Sequence, residues 1–309
     1  MGRKLIIIFS VFGIAFSAVG NDSFGRAGVF LSMPVGWKQI AMGGCGVATG
    51  GEASSGWYNP AALQLYRGWG GSSGYSRLAL DRWFYHISAA GNIRNDAAVA
   101  LSWVHADAGE IYGRDISGNY TEELAYGEDA IFLTFAKVVT RELTVGANVK
   151  YVQAKLSELS TYIAGFDIGA HGRLFNNQLL LGLSYCNISM KYQWDSADLY
   201  GKNEGTSCDE TLPGQIRVGA AYEPENLPGV VTAEIGYSEP SGMRFRGGIS
   251  ASFYEIAEVA VGFDDGLFAA GFGVEYVISP ITVGFGYAFR LERESLPPRH
   301  SFDIIIKTK

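Results

Sequence analysis

Residues 143 to 151 read LTVGANVKY, and the alternation in that stretch decides the fold. Successive side chains of a β-strand point to opposite faces, so Leu143, Val145, Ala147, Val149 and Tyr151 share one face and Thr144, Gly146, Asn148 and Lys150 the other. The pattern returns in Leu179, Leu181, Leu183 and Tyr185 against Gly182, Ser184 and Cys186. It returns again in Ile281, Val283, Phe285, Tyr287 and Phe289 against Thr282, Gly284, Gly286 and Ala288. Fourteen such segments succeed one another between residues 68 and 307, with hardly any helical period. The chain reads as all-β.

Alternation serves a soluble domain and a membrane barrel equally well. A soluble domain turns its charges to water and its aromatics inward, whereas a membrane barrel turns apolar residues to lipid and its charges to a lumen. The polar face collects Lys150, Asp167, His171, Arg173, Arg217, Glu234, Arg244, Arg246, Glu258, Glu275, Arg290 and Asp303. Loop lengths separate the two architectures. Connections are short on the side where the chain enters (91–95, 139–142, 174–177, 223–229), while the opposite side holds 107–128 and 189–212, both polar and rich in Tyr, Asp and Glu. That asymmetry marks an outer-membrane barrel, and only helices and closed barrels satisfy their backbone in lipid. These features predict a transmembrane antiparallel β-barrel of fourteen strands, with a soluble β-domain as the alternative. On that orientation Val145→Arg should cost ~2–4 kcal/mol at the lipid face, and Asn148→Arg on the lumen face much less.

Ahead of the strands, Met1-Gly2-Arg3-Lys4 is basic, Leu5 to Phe16 is apolar, and small residues follow at Ala15/Ser17 and Ala18/Gly20. This is the pattern of an export signal. Next comes GWKQIAMGGCGVATGGEASSGWYNPAALQL over residues 36–65, seven of them glycine. It matches neither strand nor helix, turns tightly and packs without bulk, which suits a plug. The expected organisation is a signal at 1–20, a glycine-rich hatch at 21–67 inside the lumen, and the barrel at 68–309.

A net charge of -7 without a basic stripe excludes a nucleic-acid binder. Cys45, Cys186 and Cys208 show no CxxC or Cys/His spacing, so no metal site is read. Cys186 and Cys208 flank one long loop, and both pairing and free thiols stay open there. His86 and Ser88 share a strand face, but Trp83, Tyr85, Ile87 and Ala89 make the better lipid face, which leaves the pair toward the lumen with no oxyanion hole beside it. No enzyme activity is expected. Gly43-Gly44-Cys45-Gly46 and Gly247-Gly248 lack the Lys-Ser/Thr of a phosphate loop, and no cofactor is expected. Arg217, Arg244, Arg246 and Arg290 alternate on neighbouring strands with Glu234, Glu258 and Glu275, so cross-strand pairs are available. They form either a lattice that holds the hatch or a polar path for substrate headgroups. Tyr112, Tyr120, Tyr126, Tyr192, Trp194 and Tyr200 in the long loops are candidates for lining an apolar site or for an interfacial girdle.

The run Gln39 to Gly44, then Val47-Ala48, Ala53-Ser54-Ser55 and Trp57-Tyr58-Asn59-Pro60-Ala61-Ala62-Leu63, resembles the amino-terminal hatch of FadL-like outer-membrane proteins, and most nearly the PorV/PorQ subfamily. Val259 to Gly266, Gly271 to Val274 and the last strand opened by His300-Ser301-Phe302 are similar to that subfamily's tail. The chain departs from the pattern in ending Lys307-Thr308-Lys309 in place of an aromatic residue, and in carrying Ala62 where Gly is usual. The resemblance implies a fourteen-stranded barrel around a hatch, with Asn59, Pro60 and Ala61 as the matching hatch element. It also implies one of two roles in the bacterial outer membrane. The first is a passive channel for hydrophobic or amphipathic molecules. The second is a barrel serving protein secretion, with a secreted protein or a secretion complex as partner. A structural envelope protein is the third possibility.

Overall fold

The computed structural model describes residues 27–308 apart from Pro240, Glu255, Glu294 and Ser295. The export signal expected at 1–20, and the first residues of the expected hatch, lie outside the described residues.

Fourteen antiparallel strands close into one barrel. The first group comprises β1 (Trp69–Arg77), β2 (Trp83–Arg94), β3 (Ala97–Asp107), β6 (Tyr126–Val138), β7 (Leu143–Leu156), β8 (Leu159–Leu174) and β9 (Leu179–Ile188). The second comprises β12 (Gln215–Tyr222), β13 (Gly229–Ser238), β14 (Gly242–Phe253), β15 (Ala257–Asp264), β16 (Leu267–Ile278), β17 (Ile281–Arg290) and β18 (Arg299–Thr308). β1 pairs with β18 from Gly70↔Lys307 to Arg77↔His300, which closes the sheet and leaves it no edge. The predicted orientation holds residue by residue along β7. Val149 is 53% exposed on the outside, whereas its neighbours Asn148 and Lys150 are 0% and 2% exposed within.

Two departures from the sequence reading are physical. Residues 107–128 and 189–212 are not plain loops, since they fold as hairpins of β4 (Ile111–Arg114) with β5 (Tyr120–Leu124) and of β10 (Lys191–Asp195) with β11 (Ser207–Thr211). β4, β5 and β11 are largely exposed on both faces, so no apolar alternation announces them, and β10 is too short for its alternation of Tyr192 and Trp194 with polar residues to stand out from a loop. The second departure concerns the lumen. Asn148 does not face water: its Nδ2 donates to Gly56 O at 2.9 Å and to Asp167 Oδ2 at 2.7 Å. An arginine there would displace packed groups, so the expected tolerance of Asn148→Arg is corrected.

What fills the lumen is the segment from Ala27 to Tyr66. Its only α-helix among the described residues is α1 (Trp37–Ala41), which packs on β15–β18, while the 3-10 turn Pro60–Leu65 packs on β3 and β6–β8 across the barrel. Gly43 and Gly44 stop α1 with positive φ of 71° and 82°, a conformation that a side chain would strain. Phe30, Trp57, Tyr58, Phe132, Met190 and Tyr192 then form one buried cluster shared by plug, wall and β10, each contributing on the order of 1.5–3 kcal/mol by leaving water.

A β-bulge between Phe166 and Ile168 interrupts the β8–β9 register. Asn187 N donates to Asp167 Oδ1 at 2.8 Å at this point, and the chain leaves the wall so that Met190, Tyr192 and Leu212 are buried. The β10–β11 hairpin thereby lies over the far end of the barrel, the end opposite the short turns.

An arginine at mid-strand should cost more than one at the strand end. Val149→Arg is expected to destabilise the vesicle-inserted barrel by ~2–4 kcal/mol and Leu143→Arg by ~0–1 kcal/mol. Reversible urea unfolding in lipid vesicles measures both, and equal costs would refute an apolar belt centred on the middle of β7.

Candidate functional site

The plug is held by groups that satisfy its irregular backbone. Asn59 is fully buried. Its Nδ2 donates to Val47 O at 2.8 Å and to Ala170 O of β8 at 3.0 Å, and its Oδ1 accepts from Ala61 N at 3.0 Å. Pro60 opens the 3-10 turn that Asn59 caps. The wall makes room for this element by omitting side chains. A Cβ on Gly169 would overlap Asn59 Oδ1, and one on Gly182 would overlap Val47 O. Asn59, Pro60 and Ala61 therefore join two plug segments to β8.

The lumen charges divide into two groups. Five of the seven that the sequence singled out, the four arginines and Glu234, share one cluster with Asp264. Arg217 Nε donates to Glu234 Oε1 at 2.6 Å, and Arg246 reaches Glu234 at 3.1 Å and Asp264 at 3.2 Å. Arg244 and Arg290 each approach Asp264 Oδ2 at 2.9 Å. Glu234↔Arg246 and Arg246↔Asp264 are cross-strand partners in register. The cluster grips the plug as well, since Glu234 Oε2 accepts from Gly46 N at 3.1 Å and Val47 N at 3.2 Å, and Arg217 donates to Gly44 O at 2.9 Å. Glu258 and Glu275 stand apart, near the short-turn end. Glu258 pairs with Lys38 of the plug at 2.7 Å and Glu275 with Lys307 at 2.9 Å.

Sequence reasoning missed Asp264 and Glu128. Asp264 precedes Asp265-Gly266 and reads as part of a turn, yet the parity Glu258, Ala260, Gly262, Asp264 places it on the inner face. Glu128 reads from the sequence as the end of the 107–128 loop. It begins the inner face of β6 and accepts from Gly28 N at 3.3 Å and from the Tyr192 hydroxyl at 3.0 Å, tying plug and hairpin together.

Above the plug a cavity of about 620 Å³ opens at the far end, lined by Val29, Phe30, Met33, Leu78, Leu159 and Trp194 with Arg82, Asp107, Glu128 and Glu210. Of the loop aromatics, Tyr126 and Trp194 line it and Tyr192 lies buried behind Glu128. Tyr112 and Tyr120 pack on each other in the β4–β5 hairpin, 5.9 Å between ring centroids, and Tyr200 is exposed. A smaller cavity of about 180 Å³ shares Val29, Met33, Leu78 and Arg82 with it and adds Arg244, Arg290, Arg293 and Arg299.

His86 and Ser88 are buried toward the lumen, with His86 Nε2 3.6 Å from Asp303 Oδ1. His105 meets Asp129, His171 meets Ala48 O and His300 meets the Tyr287 hydroxyl. All three cysteines are free. Among the described residues no group of His, Cys, Asp and Glu has the arrangement of a metal site.

No protein-family model matches the chain, and no curated protein does. Solved structures do share its fold. The toluene transporter TbuX of Ralstonia pickettii superposes with a TM-score of 0.66 at 14% identity, over 91% of this chain and 100% of that one. The toluene transporter TodX of Pseudomonas putida gives 0.63 at 13% identity, over 88% and 97%. A FadL homologue of Pseudomonas aeruginosa gives 0.62 at 10% identity, over 89% and 98%.

Buried and partly exposed charges should respond differently to truncation. Glu234→Ala leaves Arg217 without its carboxylate and Arg246 with Asp264 alone, and is expected to cost ~3–5 kcal/mol. Glu258→Ala removes a pair that is one-fifth exposed and should cost ~0–1 kcal/mol. Thermal unfolding of the two variants in detergent checks the order. Asn59→Ala should loosen the plug by about 1–3 kcal/mol, seen as faster cleavage within residues 27–66 by an added protease while the barrel stays intact.

Proposed function

We propose that the chain is a bacterial outer-membrane channel through which hydrophobic or amphipathic small molecules pass passively. The observation that carries this reading is the far-end cavity. It has the size of a small-molecule site, most of its wall is apolar, and its floor is the plug. The likeness of fold to two toluene transporters and a FadL homologue supports the same class of cargo. The hatch residues Asn59, Pro60 and Ala61 then serve as the fixed point of the plug, and the Arg217–Glu234–Arg246–Asp264 cluster as its clamp.

The PorV/PorQ likeness rests on the hatch and tail motifs alone. A secretion role asks for loops that order on binding a protein partner, and both long loops are already folded hairpins. The geometry therefore favours the channel.

Filling the cavity should stop the flux. Ala106 lines it, and Ala106→Trp is expected to lower the entry of a fluorescent polyaromatic into proteoliposomes toward the protein-free rate. Tyr120→Ala on the outlying hairpin should leave entry unchanged. Equal rates for the parent chain, the Ala106→Trp variant and empty vesicles would sink the channel reading.

A further inference from the structure

We propose that the far-end cavity selects apolar molecules whose head donates a hydrogen bond, such as alcohols, phenols and amines, over amphiphiles ending in a carboxylate. This inference rests on the channel reading of the same cavity.

The hydrogen-bonding inventory of the lining leads to it. Three carboxylates, Asp107, Glu128 and Glu210, face one guanidinium, Arg82. The donors beside them are already committed to those acids. Tyr192 and Gly28 N donate to Glu128, Trp194 Nε1 donates to Glu210 Oε2 at 3.0 Å, and Gly109 N donates to Asp107 Oδ1 at 2.6 Å. Arg82 Nε donates to Ala79 O at 3.0 Å. Asp107 and Glu210, the two acids open to solvent, only accept when ionised, and each oxygen can take more than one hydrogen. What the cavity offers a newcomer is therefore mainly acceptors, with three acids set against the single guanidinium of Arg82.

A hydroxyl or ammonium head finds partners there, and an ammonium also gains from the faces of Tyr126 and Trp194. A carboxylate head brings a further negative charge into a site walled by low-dielectric side chains, where repulsion is weakly screened. The arginines of the adjoining small cavity do not reverse this balance. Arg244 and Arg290 are bound to Asp264, Arg293 is paired with Asp265, and Arg299 donates to Pro34 O and to the Ser76 hydroxyl, both at 2.8 Å.

Isothermal titration of the full chain in a neutral detergent at neutral pH tests this with three ligands that share a ring system and differ in the head: 1-naphthylmethylamine, 1-naphthalenemethanol and 1-naphthoate. The amine and the alcohol are expected to bind at least about tenfold more tightly than naphthoate. A double variant, Asp107→Asn with Glu210→Gln, changes two partly exposed side chains and leaves the buried Glu128 in place. It should narrow the gap between amine and carboxylate to about threefold or less. Naphthoate binding as tightly as the alcohol, or a gap unchanged in the double variant, would overturn the selectivity while leaving the channel reading intact. Binding of none of the three would remove the channel reading and the selectivity together.

Discussion

An irregular segment enclosed by a closed sheet must find a partner for each buried backbone group, because no regular ladder supplies one inside the lumen. In this protein the wall supplies them with charged side chains. Glu128 accepts from Gly28 N, Asp303 from Trp37 N, and Glu234 from Gly46 N and Val47 N. Arg217 and Arg299 donate to the carbonyls of Gly44 and Pro34. Wall carboxylates meet plug amides and wall arginines meet plug carbonyls. The charges on the inner face thus act as ligands for backbone.

That arrangement explains why the ionic groups occur in clusters. A carboxylate buried against plug amides still carries a charge, and burial without a cation would be costly. Glu234 is neutralised by Arg217 and Arg246, and Arg246 is shared with Asp264, which Arg244 and Arg290 also approach. Register makes the sharing possible, since β13, β14 and β15 place Glu234, Arg246 and Asp264 opposite one another in turn. The sheet therefore presets the positions of the groups that hold the plug.

The wall was legible in the sequence because a period of two survives wherever one face meets lipid, as in Leu143 to Tyr151, where every second residue is apolar. The inner face was legible only in part. Its charged residues could be named, but partners such as Asp264 for Arg290 or Lys38 for Glu258 depend on strand register and on the path of the plug, and neither leaves a periodic trace. Asn148 shows the same limit, since alternation places it inward without revealing that Gly56 O waits there. The hairpins over the far end were missed because β4, β5 and β11 are wet on both faces, so nothing in their composition distinguishes strand from loop. Glu128, at the start of β6, was lost with them.

The division of labour between the two ends follows from the same constraint. Through the middle, wall glycines such as Gly169 and Gly182 admit the plug so closely that a Cβ would overlap it. Toward the far end the plug turns aside at Val29–Ser32, and the side chains facing it are apolar ones that it does not cover completely. A cavity arises where the chain stops filling the barrel, and most of its wall is apolar because Val29, Phe30 and Met33 of the plug and Leu78 and Leu159 of the wall have no backbone to ligate there. The acids that remain, Asp107, Glu128 and Glu210, sit where strands enter the hairpins and their own donors surround them. The chemistry available to a guest is set by what the plug and hairpins leave unused.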